Sequence, residues 1–212
     1  MIKILYIQDT LCGWCFGLIP ALRQLKKVEP DIEVEVIPGG LFADIPSKPY
    51  STLVSHIRSA EMSLEQVTGQ KPSQAFHQMI SASDSPALAS SPPAKAILEM
   101  KSLNPDVVLE FAHQLQEAHY TEGRDLNLPE TYDQICSQHG WPKLDTTAIV
   151  AADKLDVSVA NSYQRARELG VNGYPTILIA DDYNRIIGSI DGVYQVEPFI
   201  REVQKFKATA LA

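Results

Sequence analysis

Residues 1–40 read MIKILYIQDTLCGWCFGLIPALRQLKKVEPDIEVEVIPGG, and this stretch decides the fold class. Residues 2–7 are an apolar run rich in β-branched and aromatic side chains, the composition of a strand buried on both faces. Residues 17–27 carry Leu18, Leu22 and Leu25 at helical spacing, with Arg23, Lys26 and Lys27 between them, and that helix must end before Pro30. Ile32, Val34 and Val36 then alternate with Glu33 and Glu35 until Pro38, Gly39 and Gly40 stop the strand. Strand, helix and strand in so short a span form a crossover unit, which is parallel and right-handed in nearly all cases.

Outward from this unit the signals change. From about residue 41 to residue 150 strand patterns vanish, and amphipathic segments punctuated by Pro, Ser and Gly predict a helical insertion. Ser91 before Pro92 and Pro93 predicts a capped helix start, and Asn104 with Pro105 predicts the next. The second of these helices would put Val108, Phe111, Ala112, Leu115 and Ala118 on one face and stop at Gly123. A shorter helix spans 129–139. After Ser158 the sheet pattern returns: a helix through Tyr163 and Leu169 ending at Gly170, strands at 176–180 and 185–190 joined by a polar turn, and a closing helix over 196–207. The expected organisation is a discontinuous α/β domain, 1–41 with 150–212, interrupted by a helical domain at 42–149. No repeat of fixed period occurs, which excludes solenoids and propellers.

Composition narrows the function. The chain has 212 residues, 45% hydrophobic and 21% charged, enough for a sizeable core without staples and unlike a disordered segment. Its net charge of -8 is scattered, so no basic stripe exists to neutralise phosphates and nucleic acid is excluded as a partner. The opening residues lack the layout of an export signal and nothing in the chain calls for a membrane, so a cytoplasmic protein is expected. Three cysteines, Cys12, Cys15 and Cys136, cannot build a disulfide framework, and in a reducing compartment the close pair must be explained by chemistry.

Cys12, Gly13, Trp14 and Cys15 fall where the first strand gives way to the first helix. A cysteine at a helix N-terminus faces unpaired amides and the positive end of the macrodipole, both of which favour thiolate over thiol. Cys12 is thus the expected attacking sulfur. Cys15, a turn away, is the expected resolving sulfur that displaces a mixed disulfide. The rival reading is half a zinc site, but Cys136 is remote and no histidine among 56, 77, 113, 119 and 139 has ligand spacing, so no metal is assigned. Cys136, in TYDQICSQ, reads as a small buried hydrophobe. Trp14 reads either as an apolar rim for substrate or as core under the insertion. Asp9 reads either as a cap of the following turn or as a proton-transfer group for Cys15. Gly173, Tyr174, Pro175 and Thr176 stand directly before an apolar strand, where a proline needs a special turn. X-Pro bonds are cis in only about 5–6% of cases, so trans is the default on these residues alone.

Two motifs, DTLCGWCFG at residues 9–17 and GVNGYPTILI at residues 170–179, carry a resemblance that spans essentially the whole chain. The order of strand, CGWC helix, strand, helical insert, helix, GYPT and hairpin resembles the DsbA-like branch of the thioredoxin superfamily, with the first motif similar to that of FrnE-like members. This resemblance implies a thioredoxin fold, a central mixed sheet flanked by helices with a large all-helical insertion over the redox site. It also implies thiol-disulfide oxidoreductase or disulfide-isomerase activity through Cys12 and Cys15, with Gly13 and Asp9 in supporting places. It reverses the trans default at Pro175 to cis and gives Trp14, Tyr174 and Pro175 to substrate binding. No bound cofactor is implied. The implied partners are disulfide-containing proteins or small molecules, with glutathione or a thioredoxin-type reductant as electron source, and a reducing cytosol favours the reductase or isomerase direction. The chain departs from the pattern at three places: Gly13 stands for a proline, Trp14 for the histidine of strongly oxidising members, and Tyr6 for a buried acid. Two other readings remain open at this point, a glutathione-dependent transferase or isomerase of the same fold and a noncatalytic adaptor that docks through the insert.

Overall fold

The computed structural model describes residues 2–43 and 48–210. Four strands form one mixed sheet in the order β2-β1-β3-β4: β1 (Ile2–Gln8), β2 (Glu33–Pro38), β3 (Thr176–Asp181) and β4 (Ile186–Ile190). β1 and β2 are parallel, joined through α1 (Gly13–Val28), while β3 runs antiparallel to both β1 and β4. The apolar run at the N-terminus therefore becomes a central strand, and its alternate side chains enter two cores. Ile4 and Tyr6 join the large core that includes Leu18, Leu22 and Leu25 of α1 and Phe199 and Val203 of α9 (Val196–Ala210). Leu5 and Ile7 join a smaller core on the other face with Ile37, Leu178 and Ala166, the last from α8 (Val157–Glu168).

Between β2 and α8 the described chain is helical: α2 (Val54–Thr68), α3 (Gln74–Ser81), α4 (Ser91–Leu103), α5 (Val108–Gln116), α6 (Pro129–His139) and α7 (Thr146–Ala151). The face anticipated for α5 is buried as expected, with Phe111 and Leu115 fully enclosed. Its C-terminus widens into a π turn over Glu117–Thr121, which the sequence did not announce. Single π turns collect at functional sites, and this one turns both His119 and Tyr120 inward. Among the described residues no helix is long and apolar enough to cross a membrane.

α1 starts at Gly13 with Cys12 as its N-cap, where the sequence put the CGWC motif, a turn before the periodic leucines. One sequence expectation is corrected. Ser91 does not cap α4: the helix includes it, and the preceding Ser90 turns its hydroxyl away to accept the Phe42 amide at 3.0 Å. Glu35 does not face water, although it alternates with valines. It lies on the α8 face of the sheet, where Lys3, Lys101 and Arg165 converge on it at 2.9, 2.6 and 2.6 Å.

Candidate functional site

Cys12 is the N-cap of α1 in extended conformation (φ -91°, ψ 113°), and its carbonyl accepts the Cys15 and Phe16 amides at 3.0 and 3.1 Å, which starts the helix. Its Sγ–H donates to the Tyr174 carbonyl at 3.3 Å. The loop before β3 and the start of α1 meet at this sulfur, and the Tyr174–Pro175 bond in that loop is cis. Cys12 is 6% exposed and lines a cavity of about 280 Å³, whereas Cys15 is wholly enclosed. Burial pushes the Cys15 thiol well up, and the neighbouring Cys12 and the Asp9 charge add to the rise against the hydrogen bond that the Asp9 amide donates. All three cysteines are free thiols. Cys136 is buried in α6 far along the chain, its thiol pushed up to about 11 by burial and by the charges of Asp133 and Glu99.

Asp9 is 3% exposed and its carboxylate is engaged on all sides. The Leu11 amide donates to one oxygen at 2.9 Å and the Leu41 amide to the other at 2.7 Å, with Ser90 and the Gly40 amide as further donors. Burial nevertheless raises its pKa above the ordinary carboxylate value, because neutral donors offset only part of the lost hydration. Asp9 ties the turn after β1 to the turn after β2. Tyr6 is fully buried and donates its hydroxyl to the Cys15 carbonyl at 3.3 Å.

The cavity beside Cys12 is walled by the loop after β1 and by the insertion: Leu53, Ile57 and Leu64 of the α2 region, Phe76 of α3, and Tyr120 of the π turn. Trp14 lines this cavity and packs on Tyr194, which stands just before α9 and outside the insertion, with ring centroids 5.3 Å apart. Gly13 and Gly17 share the face of α1 that meets α2. An added methyl at Gly17 would collide with Thr68, whereas one at Gly13 would only touch Leu64 at 3.6 Å. Of the two, only Gly17 has to be glycine for the helices to meet.

The DSBA-like thioredoxin domain family matches residues 4–197. The chain belongs to that family. Its fold carries a helical insertion, as the family's does, and with two cysteines at the head of α1 it is by class a thiol-disulfide oxidoreductase. The cytosolic disulfide reductase DsbM from Pseudomonas aeruginosa is 24% identical, with a TM-score of 0.82 over 98% of this chain and 100% of that one. The same protein described with GSH gives a TM-score of 0.78 at 24% identity, over 97% of this chain and 99% of that one. A candidate protein disulfide isomerase from Nitrosomonas europaea is 19% identical with a TM-score of 0.76, covering 98% of both chains. At these identities the likeness is one of fold. No curated protein sequence matches the chain.

The structure brings together Asp9, Cys12, Gly13, Trp14, Cys15, Tyr174 and Pro175, which lie at the two ends of the sequence. It adds residues that sequence reasoning passed over. Tyr50 lines the cavity, and its hydroxyl meets Nε2 of His119 at 2.8 Å. The other ring nitrogen, Nδ1, lies 3.3 Å from the Arg124 carbonyl, which can only accept, so Nδ1 carries the hydrogen. Burial lowers the His119 pKa to about 4, so the ring is neutral near pH 7 and Nε2 accepts the Tyr50 hydroxyl. Gly39 was read only as a strand stop, yet the Tyr174 ring lies over it. Neither pairing leaves a local trace, because the partners are 69 and 135 residues apart.

Proposed function

We propose that the chain reduces disulfides by dithiol–disulfide exchange, with Cys12 as the attacking sulfur and Cys15 as the resolving one. The observation that carries this reading is the meeting of Cys12, at the head of α1, with the Tyr174–Pro175 loop beside an open cavity, while Cys15 stands behind it out of water. In the first step the Cys12 thiolate attacks one sulfur of the substrate disulfide; a mixed disulfide forms and the other substrate sulfur leaves as a thiolate that takes up a proton. In the second, Cys15 loses its proton and attacks Cys12 Sγ. The second substrate thiol is released and the Cys12–Cys15 disulfide holds the oxidised state. Two electrons have passed to the substrate, and two thiols of glutathione or of a thioredoxin-type protein restore the pair.

Geometry supports the division of labour. Cys12 has the opening and the free-amide end of a helix; Cys15 has neither, and its raised pKa keeps it protonated until a mixed disulfide draws it in. Trp14 and Tyr174 line the cavity, and with Pro175, cis-bonded to Tyr174, they are the residues we assign to a substrate chain, for which the Tyr174 carbonyl that accepts the Cys12 hydrogen is a backbone acceptor. DsbM is described as a cytosolic reductase and has been described with GSH, which supports the reducing direction, a cytoplasmic setting and glutathione as a redox partner. Reduction of insulin by the wild type and by Cys12→Ser tests the reading: activity in the first and none above background in the second is expected, and equal rates would overturn it.

A further inference from the structure

Tyr174 works with two atoms on opposite sides of the residue. Its carbonyl accepts the Cys12 Sγ–H at 3.3 Å, and its phenol donates to the Gly39 carbonyl at 2.6 Å. The ring lies against β2 because residue 39 has no side chain; a methyl there would stand inside the ring's edge. The acceptor end is fixed to the sheet: the Gly39 amide donates to the Gln8 carbonyl at 2.8 Å, and the Ser162 hydroxyl holds the Pro38 carbonyl at 2.8 Å. Burial and the nearby Asp9 charge push the phenol up to about 12, so it remains a donor throughout the neutral range.

We propose that this contact is a latch, and that the Tyr174 hydroxyl and Gly39 are positioning residues for disulfide exchange: they hold the Tyr174 carbonyl against Cys12 Sγ. The inference rests on Cys12 being the nucleophile. A carbonyl oxygen carries partial negative charge, so at this distance it favours S–H and opposes S⁻. The latched loop therefore holds a hydrogen-bond acceptor against Cys12 Sγ that only the reduced dithiol can use. Unlatching it lets the carbonyl drift, which makes the sulfur quicker to react and the pair easier to oxidise.

Tyr174→Phe keeps the ring and removes only the hydroxyl. Two readouts in the full chain separate positioning from simple packing: the pH profile of Cys12 alkylation by iodoacetamide, followed by peptide mass spectrometry, and the equilibrium with glutathione. Over the neutral range the variant should alkylate Cys12 roughly three- to tenfold faster than wild type. Its equilibrium with glutathione should move toward the Cys12–Cys15 disulfide by a similar factor, where tenfold corresponds to about 30 mV. Gly39→Ala, which displaces the ring, should move both readouts the same way and further. A folded Tyr174→Phe variant with the wild-type profile and equilibrium, or with slower alkylation, would overturn the latch. Wild-type protein that neither alkylates at Cys12 nor exchanges with glutathione would instead overturn the reading of Cys12 itself.

Discussion

Glu35 and Asp9 are both carboxylates withdrawn from water at the sheet, and the molecule treats them in opposite ways. Burial alone would raise Glu35, but Arg165, Lys101 and Lys3 donate to it and hold it well below the usual carboxylate range. Asp9 has two backbone amides at 2.7 and 2.9 Å, another amide and a serine, and its burial prevails. The first corner uses full charges to stitch β1, β2, α4 and α8 together. The second uses dipoles to shape two turns next to a pair of sulfurs. Full charges are placed where they hold elements together, and dipoles where the reactivity of a thiol has to be set.

This contrast breaks most visibly if activity and stability fail to separate. Cys12→Ser should erase exchange, a loss of at least about a thousandfold, because Cys12 is the one thiol among the described residues that line the cavity, while the melting temperature stays near that of wild type. Glu35→Gln should do the reverse. Leaving three cations around a neutral amide should cost about 2 kcal/mol at pH 7, between an exposed pair and a fully buried one, with little change in exchange rate per folded molecule. Chemical denaturation and insulin reduction on the same samples check both.

The pH dependence sharpens the comparison, because the two carboxylates have opposite signs. The folded-state pKa of Glu35 is lowered, so its contribution is fully present above its ordinary value of 4.5 and is lost as pH falls through the folded value. The gap between wild type and Glu35→Gln should therefore narrow on acidification below that point. Asp9 is raised above its ordinary 3.8, so its favourable term is present below that value and is lost as pH rises through the folded one. Asp9→Asn turns an amide donor toward backbone donors and should cost about 1–3 kcal/mol at acid pH, with the deficit shrinking toward neutrality. Denaturation series from acid to neutral pH that gave both variants slopes of one sign would end the distinction.

The smallest effect concerns the two glycines of α1. Gly17→Ala meets Thr68 and should destabilise by about 1–2 kcal/mol, whereas Gly13→Ala meets only ordinary contact and should stay within about 0.5 kcal/mol. Equal melting temperatures for the two would show that α2 yields at residue 68.

What the sequence disclosed follows the range of the interactions involved. β1, β2, β3 and α6 were legible because their apolar pattern or punctuation is local, as was the burial of Phe111 and Leu115 on α5. α2 was not singled out as a separate helix, although Ile57, Ala60 and Leu64 recur at helical spacing; that stripe faces the cavity beside Cys12, and Leu64 is the one residue of α2 that is buried. The start of α1 was legible only from the CGWC motif, because a cysteine cap has no apolar signature, and the π turn after α5 has no local marker at all. At the site, Cys12 and Cys15 announce themselves by spacing, and the cis bond at Pro175 came through family resemblance rather than residue preference. Ser90, Tyr50, His119 and the pairing of Gly39 with Tyr174 stayed hidden, since each depends on a partner far away in the chain.

The central claim is that Cys12 forms the mixed disulfide and Cys15 resolves it. Cys15→Ser, incubated with a disulfide-linked peptide and analysed by mass spectrometry without reductant, tests this directly. A stable adduct on Cys12, absent from the Cys12→Ser protein, is the expected result. An adduct on Cys136, or none anywhere, would contradict the account.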